Sequence, residues 1–212
     1  HGVDQVAAFL ESIPAPTAAK VVQFLLPHYA ARVCNILEPE RLHSLFAYSE
    51  IGTVAAILRH FSKSDRSLIL EQLPTKLQLA CSLLLNYSQE MVGAWITPQV
   101  ATVPDNYTVD EAINYLKNTE DIVHTDSIFS ITRDREFRGR LKWVELIKAA
   151  GETPVSNLTE NKGSKLRARL RLEEAATHND WKRFHEIPVI NRNQKFIGVL
   201  CHTDLRKGLE HL

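Results

Sequence analysis

The sequence predicts an α + α/β protein, in which an array of short helices precedes two copies of a β-α-β-β-α unit. Two observations predict this class. In the first half, apolar residues recur with helical spacing in sets about twelve residues apart, and in the second half a strand-and-helix pattern recurs 59 residues later. We therefore expect a helical repeat domain over residues 1–93, a first β/α motif over 94–152 and a second over 153–212.

The helical array is predicted from apolar residues at positions i, i+3, i+4 and i+7. The sets begin at Val6, Ala18, Ala30, Leu42, Val54, Arg66 and Leu77, a step of twelve residues with one of eleven. Prolines 14, 27, 39 and 74 follow the sets, and residues 62–65 supply capping side chains where proline is absent. Because helices of two turns are marginal alone, these units should stack around a shared core as a superhelix. A generic all-α bundle without a functional period is the alternative.

The second half is predicted to alternate strands and helices. Strands are expected at Val100–Val103, Ile128–Thr132 and Gly139–Leu141. Thr108 and Glu111 have the spacing of a capping box, which opens a helix that runs through Leu116. A closing helix is expected from Val144.

This unit is predicted to be duplicated. Seven residues match their counterparts 59 positions later without a gap: Ile131, Arg133, Phe137, Gly139, Leu141, Glu145 and Leu146 align with Ile190, Arg192, Phe196, Gly198, Leu200, Asp204 and Leu205. Upstream, Asp110-Glu111-Ala112 corresponds to Glu173-Glu174-Ala175 at a slightly different offset. A tandem pair of similar motifs is the expected result.

Composition argues against several classes of function. The formal net charge is zero, which gives no overall attraction to nucleic acid, and no run approaches the ~20 apolar residues that span a bilayer. Cys34, Cys81 and Cys201 are far apart without a Cys/His cluster, so we expect reduced thiols in a cytosolic protein. Without a phosphate loop or a nucleophile paired with a base, we predict that the chain is not an enzyme. Because the chain begins at His1 without an initiator Met, we expect it to be a fragment.

Several residues carry a resemblance to a known family. The junction keeps Tyr87, Glu90 and Gly93, and the segment 103–112 reads Val-Pro-Asp, then Thr-Val-Asp-Glu-Ala after two residues. Each β/α unit resembles a CBS motif, and two together form the usual CBS pair. The order of a short-helix array, this junction and a CBS pair resembles the cytosolic region of the MgtE family of magnesium transporters. Ser88, Gln89 and Met91 depart from the family's junction pattern.

The resemblance implies a regulatory role. In the family, the cytosolic region gates a magnesium pore, and magnesium at interfacial carboxylates compacts a dimer held by the CBS pair. The resemblance therefore implies a homodimer, a transmembrane pore domain after this chain and a full-length protein in the inner (plasma) membrane, with this region on the cytoplasmic side. Mg²⁺ is the implied ligand, and no nucleic-acid partner is expected. The candidate metal residues are Glu90, Glu111, Glu173, Glu174 and Asp204.

The charge distribution departs from the family's. Residues 1–96 carry a net charge of −1, residues 97–159 carry −3 and residues 160–212 carry +4. The basic residues Lys162, Lys165, Arg167, Arg169 and Arg171 lie where the family has acidic ones. Their alternation with Leu166, Ala168 and Leu170 predicts a strand with one basic, solvent-facing side. Pairing of the −3 segment with the +4 segment, within or between subunits, is an alternative to a magnesium bridge.

An adenine nucleotide is the second ligand that the resemblance implies. CBS pairs that bind adenosine phosphates have Gly, then Ser or Thr three places on, then Asp three further. Gly198, Cys201 and Asp204 keep two of these three types, with Thr203 beside the Asp, whereas Gly139, Lys142 and Glu145 keep the glycine alone. Two rival functions therefore stand beside the transporter region: a soluble CBS-pair protein that senses an adenine nucleotide and regulates a partner protein, and a helical scaffold without a ligand.

Overall fold

The computed structural model describes residues 2–120, 122–123, 125–160 and 164–211, and divides into two units. The first unit covers His1–Asn86 and the second Tyr87–Leu212. Within the described residues, no helix combines the length and the apolar character that crossing a membrane requires.

The first unit consists of seven short helices. They are α1 (Val3–Ser12), α2 (Ala15–Val22), α3 (Pro27–Cys34), α4 (Pro39–Ala47), α5 (Ile51–Leu58), α6 (Lys63–Gln72) and α7 (Thr75–Leu85). Each helix begins twelve residues after the previous one, which confirms the repeat with a stricter period than the apolar sets indicate. Proline opens α3 and α4 and precedes α2 and α7, whereas the Ser62 hydroxyl caps α6 by accepting the backbone N–H of Asp65.

The helices share one apolar core. Most helices pack on the next but one, with α1 against α3, α2 against α4, α3 against α5, and α5 against α7, whereas α6 packs against α7. Leu10, Leu45, Phe46 and Leu58 are fully buried in this core. Phe9, which the sequence assigns to an apolar set, is instead 51% exposed, and that prediction is wrong for this residue.

Arginine side chains fasten the ends of several helices. Arg41 of α4 donates to the carbonyl oxygen of Leu10 in α1. Arg59 donates to the carbonyl oxygen of Leu84 at 2.9 Å, and Arg66 of α6 donates to carbonyls that follow α5. Because the last carbonyls of a helix have no partner within it, these guanidinium groups satisfy acceptors that burial would otherwise leave unpaired.

Among its described residues, the second unit contains two three-stranded sheets, five α-helices and two short 3₁₀ helices (Val92–Ala94 and Asn179–Lys182). The first sheet has strands β1 (Thr102–Pro104), β2 (Ser127–Ile131) and β3 (Phe137–Lys142), with helices α8 (Val109–Lys117) and α9 (Trp143–Lys148). The short helix α10 (Val155–Leu158) joins this motif to the next. The second sheet has strands β4 (Leu166–Arg167), β5 (Glu186–Ile190) and β6 (Phe196–Cys201), with helices α11 (Leu172–Ala176) and α12 (His202–Glu210). Each sheet pairs its first two strands in parallel and the last two antiparallel.

The strand registers repeat with the same spacing as the sequence. Ser127 pairs with Lys142 in the first hairpin and Glu186 with Cys201 in the second, 59 residues later in both strands. Val103 pairs with Ser130, and Leu166 with Val189, so the first strands are offset by 63 residues. The difference of four residues matches the greater length of α8, nine residues, over α11, five residues. The predicted duplication into two β-α-β-β-α motifs is confirmed.

The two motifs exchange their leading segments, in that the chain just ahead of the first strand of each motif pairs with the last strand of the other motif. Thr97, ahead of the first motif, pairs with Val199 on β6 of the second, through hydrogen bonds of 2.8 and 3.1 Å. Glu160, ahead of the second motif, pairs with Arg140 on β3 of the first in the same way. One edge of each sheet, β3 or β6, is therefore paired with a segment that precedes the other motif.

Phenylalanine rings join the two sheets. The rings of Phe129 and Phe196 stack at 5.5 Å between centroids, and Phe137 stacks on Phe196 at 6.1 Å. Phe129 and Phe196 are fully buried, and they share one apolar cluster with Val199. The motifs therefore form one packed unit.

Two strand predictions need correction. The predicted strand at 100–103 lies two residues later, at Thr102–Pro104. The predicted strand through Leu166, Ala168 and Leu170 ends at Arg167, because the chain turns there and the Leu170 N–H donates to the Arg167 carbonyl at 2.9 Å. The side chains nevertheless alternate between buried and exposed as predicted, since Leu166 and Ala168 are buried while Arg167 and Arg169 are exposed. Lys162, the first member of the basic stretch, lies outside the described residues.

Candidate functional site: carboxylates and the second β/α motif

Three of the five predicted metal-binding carboxylates act on one arginine, which one of them contacts directly. Glu173 and Glu174 lie in the first turn of α11, and Glu90 lies near the beginning of the second unit. The Arg171 Nε lies 3.0 Å from Glu173 Oε2. This hydrogen bond and the charge of Glu173, followed by the charges of Glu90 and Glu174, raise the pKa of Arg171. Arg171 is therefore the cation that these three carboxylates stabilise, with Glu173 in direct contact.

Backbone pairing brings these residues together from distant parts of the sequence. The N–H of Leu172 donates to the Glu90 carbonyl at 2.8 Å, and the backbones of Met91 and Arg171 form an isolated antiparallel β-bridge. The N–H groups of Val92 and Gly93 donate to carbonyls of the second motif at 2.9 and 2.8 Å. The segment 90–93 therefore lies along the beginning of the second motif.

Tyr87 and Gly93, which carry part of the family resemblance, contact each other in this segment. A β-carbon placed on Gly93 would come within 2.5 Å of the Tyr87 ring. The ring therefore packs on the bare glycine backbone, which gives this spacing a structural reason.

The other two candidate metal residues lie apart from this cluster. Glu111 completes the predicted capping box of α8, since its carboxylate accepts the Thr108 N–H at 2.8 Å while the Thr108 hydroxyl accepts the Glu111 N–H. Asp204 lies on α12, where its Oδ1 is 3.4 Å from the Lys207 Nζ. Among the described residues, no three His, Cys, Asp or Glu side chains are arranged to hold a metal ion.

The candidate nucleotide residues of the second motif lie at the end of β6 and the start of α12. Gly198 has a φ of 140°, and a β-carbon there would lie 2.5 Å from the Thr97 carbonyl oxygen. The glycine therefore has a structural reason that is independent of any ligand. The Thr97 hydroxyl lies 3.9 Å from the Cys201 Sγ, while Thr203 is exposed and Asp204 is partly exposed.

Thr97 places a hydroxyl beside the position where nucleotide-binding motifs have Ser or Thr. Burial, followed by the charge of Asp204, raises the pKa of the Cys201 thiol to about 11, so this thiol stays protonated at neutral pH. The alignment of the two motifs within the sequence does not place Thr97 beside Cys201, because Thr97 comes from the exchanged leading segment. Its pairing with Val199 mirrors that of Glu160 with Arg140, and this symmetry is the signal that locates it.

The equivalent position of the first motif is occupied by an ion pair. The Lys142 Nζ lies 3.0 Å from Glu145 Oε1 and 3.5 Å from Glu160 Oε1. Lys142 therefore occupies the position at which nucleotide-binding motifs have a hydroxyl. It forms an ion pair with Glu145, which corresponds to the aspartate that would bind the ribose. The first motif is the poorer candidate for a nucleotide.

A buried charged pair, which the sequence gives no reason to single out, lies between the motifs. Arg140 on β3 and Glu186 on β5 are only 5% and 4% exposed. The Glu186 carboxylate accepts the Ser127 N–H at 3.1 Å, and the Arg140 guanidinium lies 3.6 Å from the centre of the Phe184 ring. The Nε and Nη1 atoms of Arg140 have no hydrogen-bond partner among the described residues. Burial raises the pKa of Glu186 and lowers that of Arg140.

Comparison with known proteins identifies relatives over most of the chain. No family model matches. The magnesium transporter MgtE of Bacillus subtilis is 27% identical over 127 residues, which cover 59% of this chain and 28% of the relative. The magnesium transporter MgtE of Thermus thermophilus is 23% identical over 205 residues, which cover 95% of this chain and 46% of the relative. The chain thus spans less than half the length of either relative.

The fold is matched along the whole chain. A crystal structure of the cytosolic domain of the Mg²⁺ channel MgtE, in complex with ATP, superimposes with a TM-score of 0.85 at 21% identity. The match covers 100% of this chain and 86% of that one. The predicted fold class, a short-helix array followed by a CBS pair, is confirmed, and so is the resemblance: the chain is similar in sequence to two MgtE magnesium transporters and has the fold of an MgtE cytosolic domain.

Proposed function

We propose that this chain is the cytosolic regulatory region of an MgtE-like magnesium transporter, in which Mg²⁺ or a second ligand compacts a dimer formed through the CBS pair. One observation carries the proposal: the order of helical array and CBS pair is shared over the whole chain with an MgtE cytosolic domain. The transmembrane pore domain and the position in the plasma membrane belong to the same proposal, because the relatives are about twice as long or longer.

The carboxylates around Arg171 supply the physical basis for a cation response. The charges of Glu90, Glu173 and Glu174 all act on Arg171. Carboxylates near one another repel unless a cation neutralises them, and magnesium accepts scattered carboxylates as weak oxygen ligands. In this chain the Arg171 guanidinium already provides one positive charge, 3.0 Å from Glu173. We infer that Mg²⁺ must compete with Arg171, so that the cation response occurs at higher concentration than the carboxylates alone would give.

The test is compaction of the full chain in MgCl₂, measured by small-angle scattering and sedimentation against NaCl of equal ionic strength. We expect a smaller radius of gyration and more dimer at millimolar Mg²⁺, and no change in NaCl. If Mg²⁺ has no effect at millimolar concentration, the sensor proposal is refuted. A dimer that dissociates steeply with NaCl and ignores Mg²⁺ would instead favour pairing of the oppositely charged segments.

A matched pair of variants tests the competition. Arg171→Gln removes the built-in cation and should shift the Mg²⁺ response to lower concentration. Arg206→Gln is the control, because Arg206 also pairs with one exposed glutamate, Glu210, but lies outside the cluster. Equal midpoints for the two variants would refute the role of Arg171.

Binding of an adenine nucleotide at the second motif is a second candidate, which the Thr97 hydroxyl beside Cys201 favours. An aspartate can hold two ribose hydroxyls, and Asp204 is partly exposed at the start of α12. Titration calorimetry with ATP and AMP tests it, with Asp204→Ala as the disruptive variant and Glu145→Ala, at the equivalent position of the first motif, as the control. We expect Asp204→Ala alone to weaken binding, and equal losses in both variants would contradict the assignment.

A further inference from the structure

The last turn of α12 packs on the side chain of Trp95. The imidazole ring of His211, at the C-cap of α12, stacks on the Trp95 indole with 5.6 Å between ring centres and 19° between ring planes. A β-carbon placed on Gly208 would lie 3.0 Å from Cε2 of the same indole. The His211 N–H donates to the Gly208 carbonyl at 3.2 Å, so one hydrogen-bonded turn makes both contacts. Trp95 therefore supports the end of α12.

The same indole is bonded to the residue next to Glu90. Its Nε1–H donates to the Gln89 carbonyl at 2.7 Å, and the Trp95 backbone N–H donates to the Val92 carbonyl at 3.0 Å. Trp95 is half-buried, and an indole that is bonded at its nitrogen and stacked on its face is held in one orientation. A displacement of the backbone at Glu90 should therefore carry Trp95 with it.

Leu172 makes a second contact between α12 and the surroundings of Arg171. Leu172 directly follows Arg171, is fully buried, and donates its N–H to the Glu90 carbonyl at 2.8 Å. A β-carbon placed on Gly208 would lie 2.6 Å from Leu172 Cδ1. The bare backbone at Gly208 thus lets α12 lie close to both Leu172 and Trp95. Because closely packed interiors transmit displacements, movement beside Arg171 or Glu90 should reach the last turn of α12.

We propose that Trp95 and Gly208 couple Arg171, with the three carboxylates that act on it, to the C-terminal end of α12. Both are positioning residues, since neither has a side chain that can bind a cation. When a cation draws carboxylates away from Arg171, the segments that carry Glu90 and Arg171 shift, and the last turn of α12 follows through Trp95 and Leu172. The inference rests on the proposed function, because it names the element that passes the cation response onward.

The test follows the imidazole resonances of His211 in the full chain by NMR, assigned with His211→Gln. Arg171→Gln perturbs the carboxylates without magnesium and should shift these resonances. Trp95→Phe keeps an aromatic ring under His211 but removes the bond to the Gln89 carbonyl, so the Arg171→Gln shift should become smaller by about twofold or more in that background. Trp143→Phe is the matched control, since Trp143 is also half-buried and donates its Nε1–H to a backbone carbonyl, at 3.0 Å. In that background the shift should be unchanged.

Two further measurements complete the test. Gly208→Ala places a β-carbon against Leu172, and it should also reduce the effect of Arg171→Gln on His211 by about twofold or more. This variant keeps the proposal testable if Trp95→Phe does not fold. Titration of the wild-type chain with MgCl₂, against NaCl of equal ionic strength, should move the His211 resonances with the same midpoint as the compaction measured by scattering.

Three outcomes would overturn the proposal. Arg171→Gln could leave the His211 resonances in place, it could shift them equally in the Trp95→Phe and Trp143→Phe backgrounds, or MgCl₂ could compact the chain without moving His211. If Arg171→Gln acts as expected but MgCl₂ neither compacts the chain nor moves His211, the proposed function fails while the coupling stands. Circular dichroism checks that each variant remains folded.

Discussion

Replacing Gly198 with alanine tests whether the exchanged segment holds the CBS pair together. Gly198 has a φ of 140°, where a side chain costs about 1–3 kcal/mol. The new β-carbon would also lie 2.5 Å from the Thr97 carbonyl oxygen, so the 97–98 segment must move. Movement weakens the two Thr97–Val199 hydrogen bonds, each worth about 0.5–1.5 kcal/mol. After the gain of about 0.5–1 kcal/mol from a stiffer unfolded chain, we expect a net loss of about 1–5 kcal/mol.

The assay can be confined to the second unit. The three tryptophans, Trp95, Trp143 and Trp181, all lie in that unit, so tryptophan fluorescence follows its unfolding alone. For a unit of this size the loss corresponds to a fall in Tm of roughly 4–20 °C. Gly52→Ala is the control, because Gly52 lies in α5 with open space around it, and alanine there should stabilise the first unit by about 0.5–1 kcal/mol. A Gly198→Ala variant with unchanged Tm would refute the stabilising role given to the pairing of Thr97 with Val199.

Three further substitutions have expected outcomes. Gln194 has a φ of 61°, so Gln194→Gly should stabilise the second unit by about 0.5–1 kcal/mol in thermal unfolding, and a lower Tm would contradict the strain. Arg41→Met removes the donor to the Leu10 carbonyl and should destabilise the first unit by about 1–3 kcal/mol in urea, whereas an unchanged midpoint would show that water replaces the guanidinium. Burial raises the pKa of Glu186 above the ordinary 4.5, so ionisation of its carboxyl group begins to cost stability above about pH 4.5 and costs it in full above the folded-state pKa. Glu186→Gln, which can still accept the Ser127 N–H, should therefore raise the Tm at pH 7 and lose this advantage as the pH falls through the folded-state pKa toward about 4.5. A destabilised Glu186→Gln at pH 7 would mean that attraction to Arg140 outweighs burial.

The helical period was predictable because residue types close together in the sequence determine where each helix begins. Proline and Ser62 mark the start of helices at fixed spacing, and short helices have few other ways to bury their apolar faces. The apolar sets gave a step of eleven at the end because the buried face of α7 is turned relative to its first residue: Ala80, Cys81 and Leu84 are buried. Helix starts were therefore a better guide to the period than apolar residues.

The candidate sites were less predictable, because they depend on contacts between distant residues. Glu90 comes near Arg171 only through the pairing of segment 90–93 with the start of the second motif. Arg140 lies in a strand beside charged turn residues and would be taken as exposed, yet the exchanged Glu160 and the Phe184 ring bury it. No local pattern encodes either arrangement.

The exchange of leading segments has a consequence for how the second unit can be divided. A cut between the motifs leaves the first without Glu160 on its β3 edge and the second without Thr97 on its β6 edge. Neither half should therefore fold well alone, whereas the two halves, mixed as separate fragments, should find each other and restore both edges. The two motifs should therefore unfold as one cooperative unit. Loss of either the Thr97–Val199 or the Glu160–Arg140 pairing should lower the stability of both motifs.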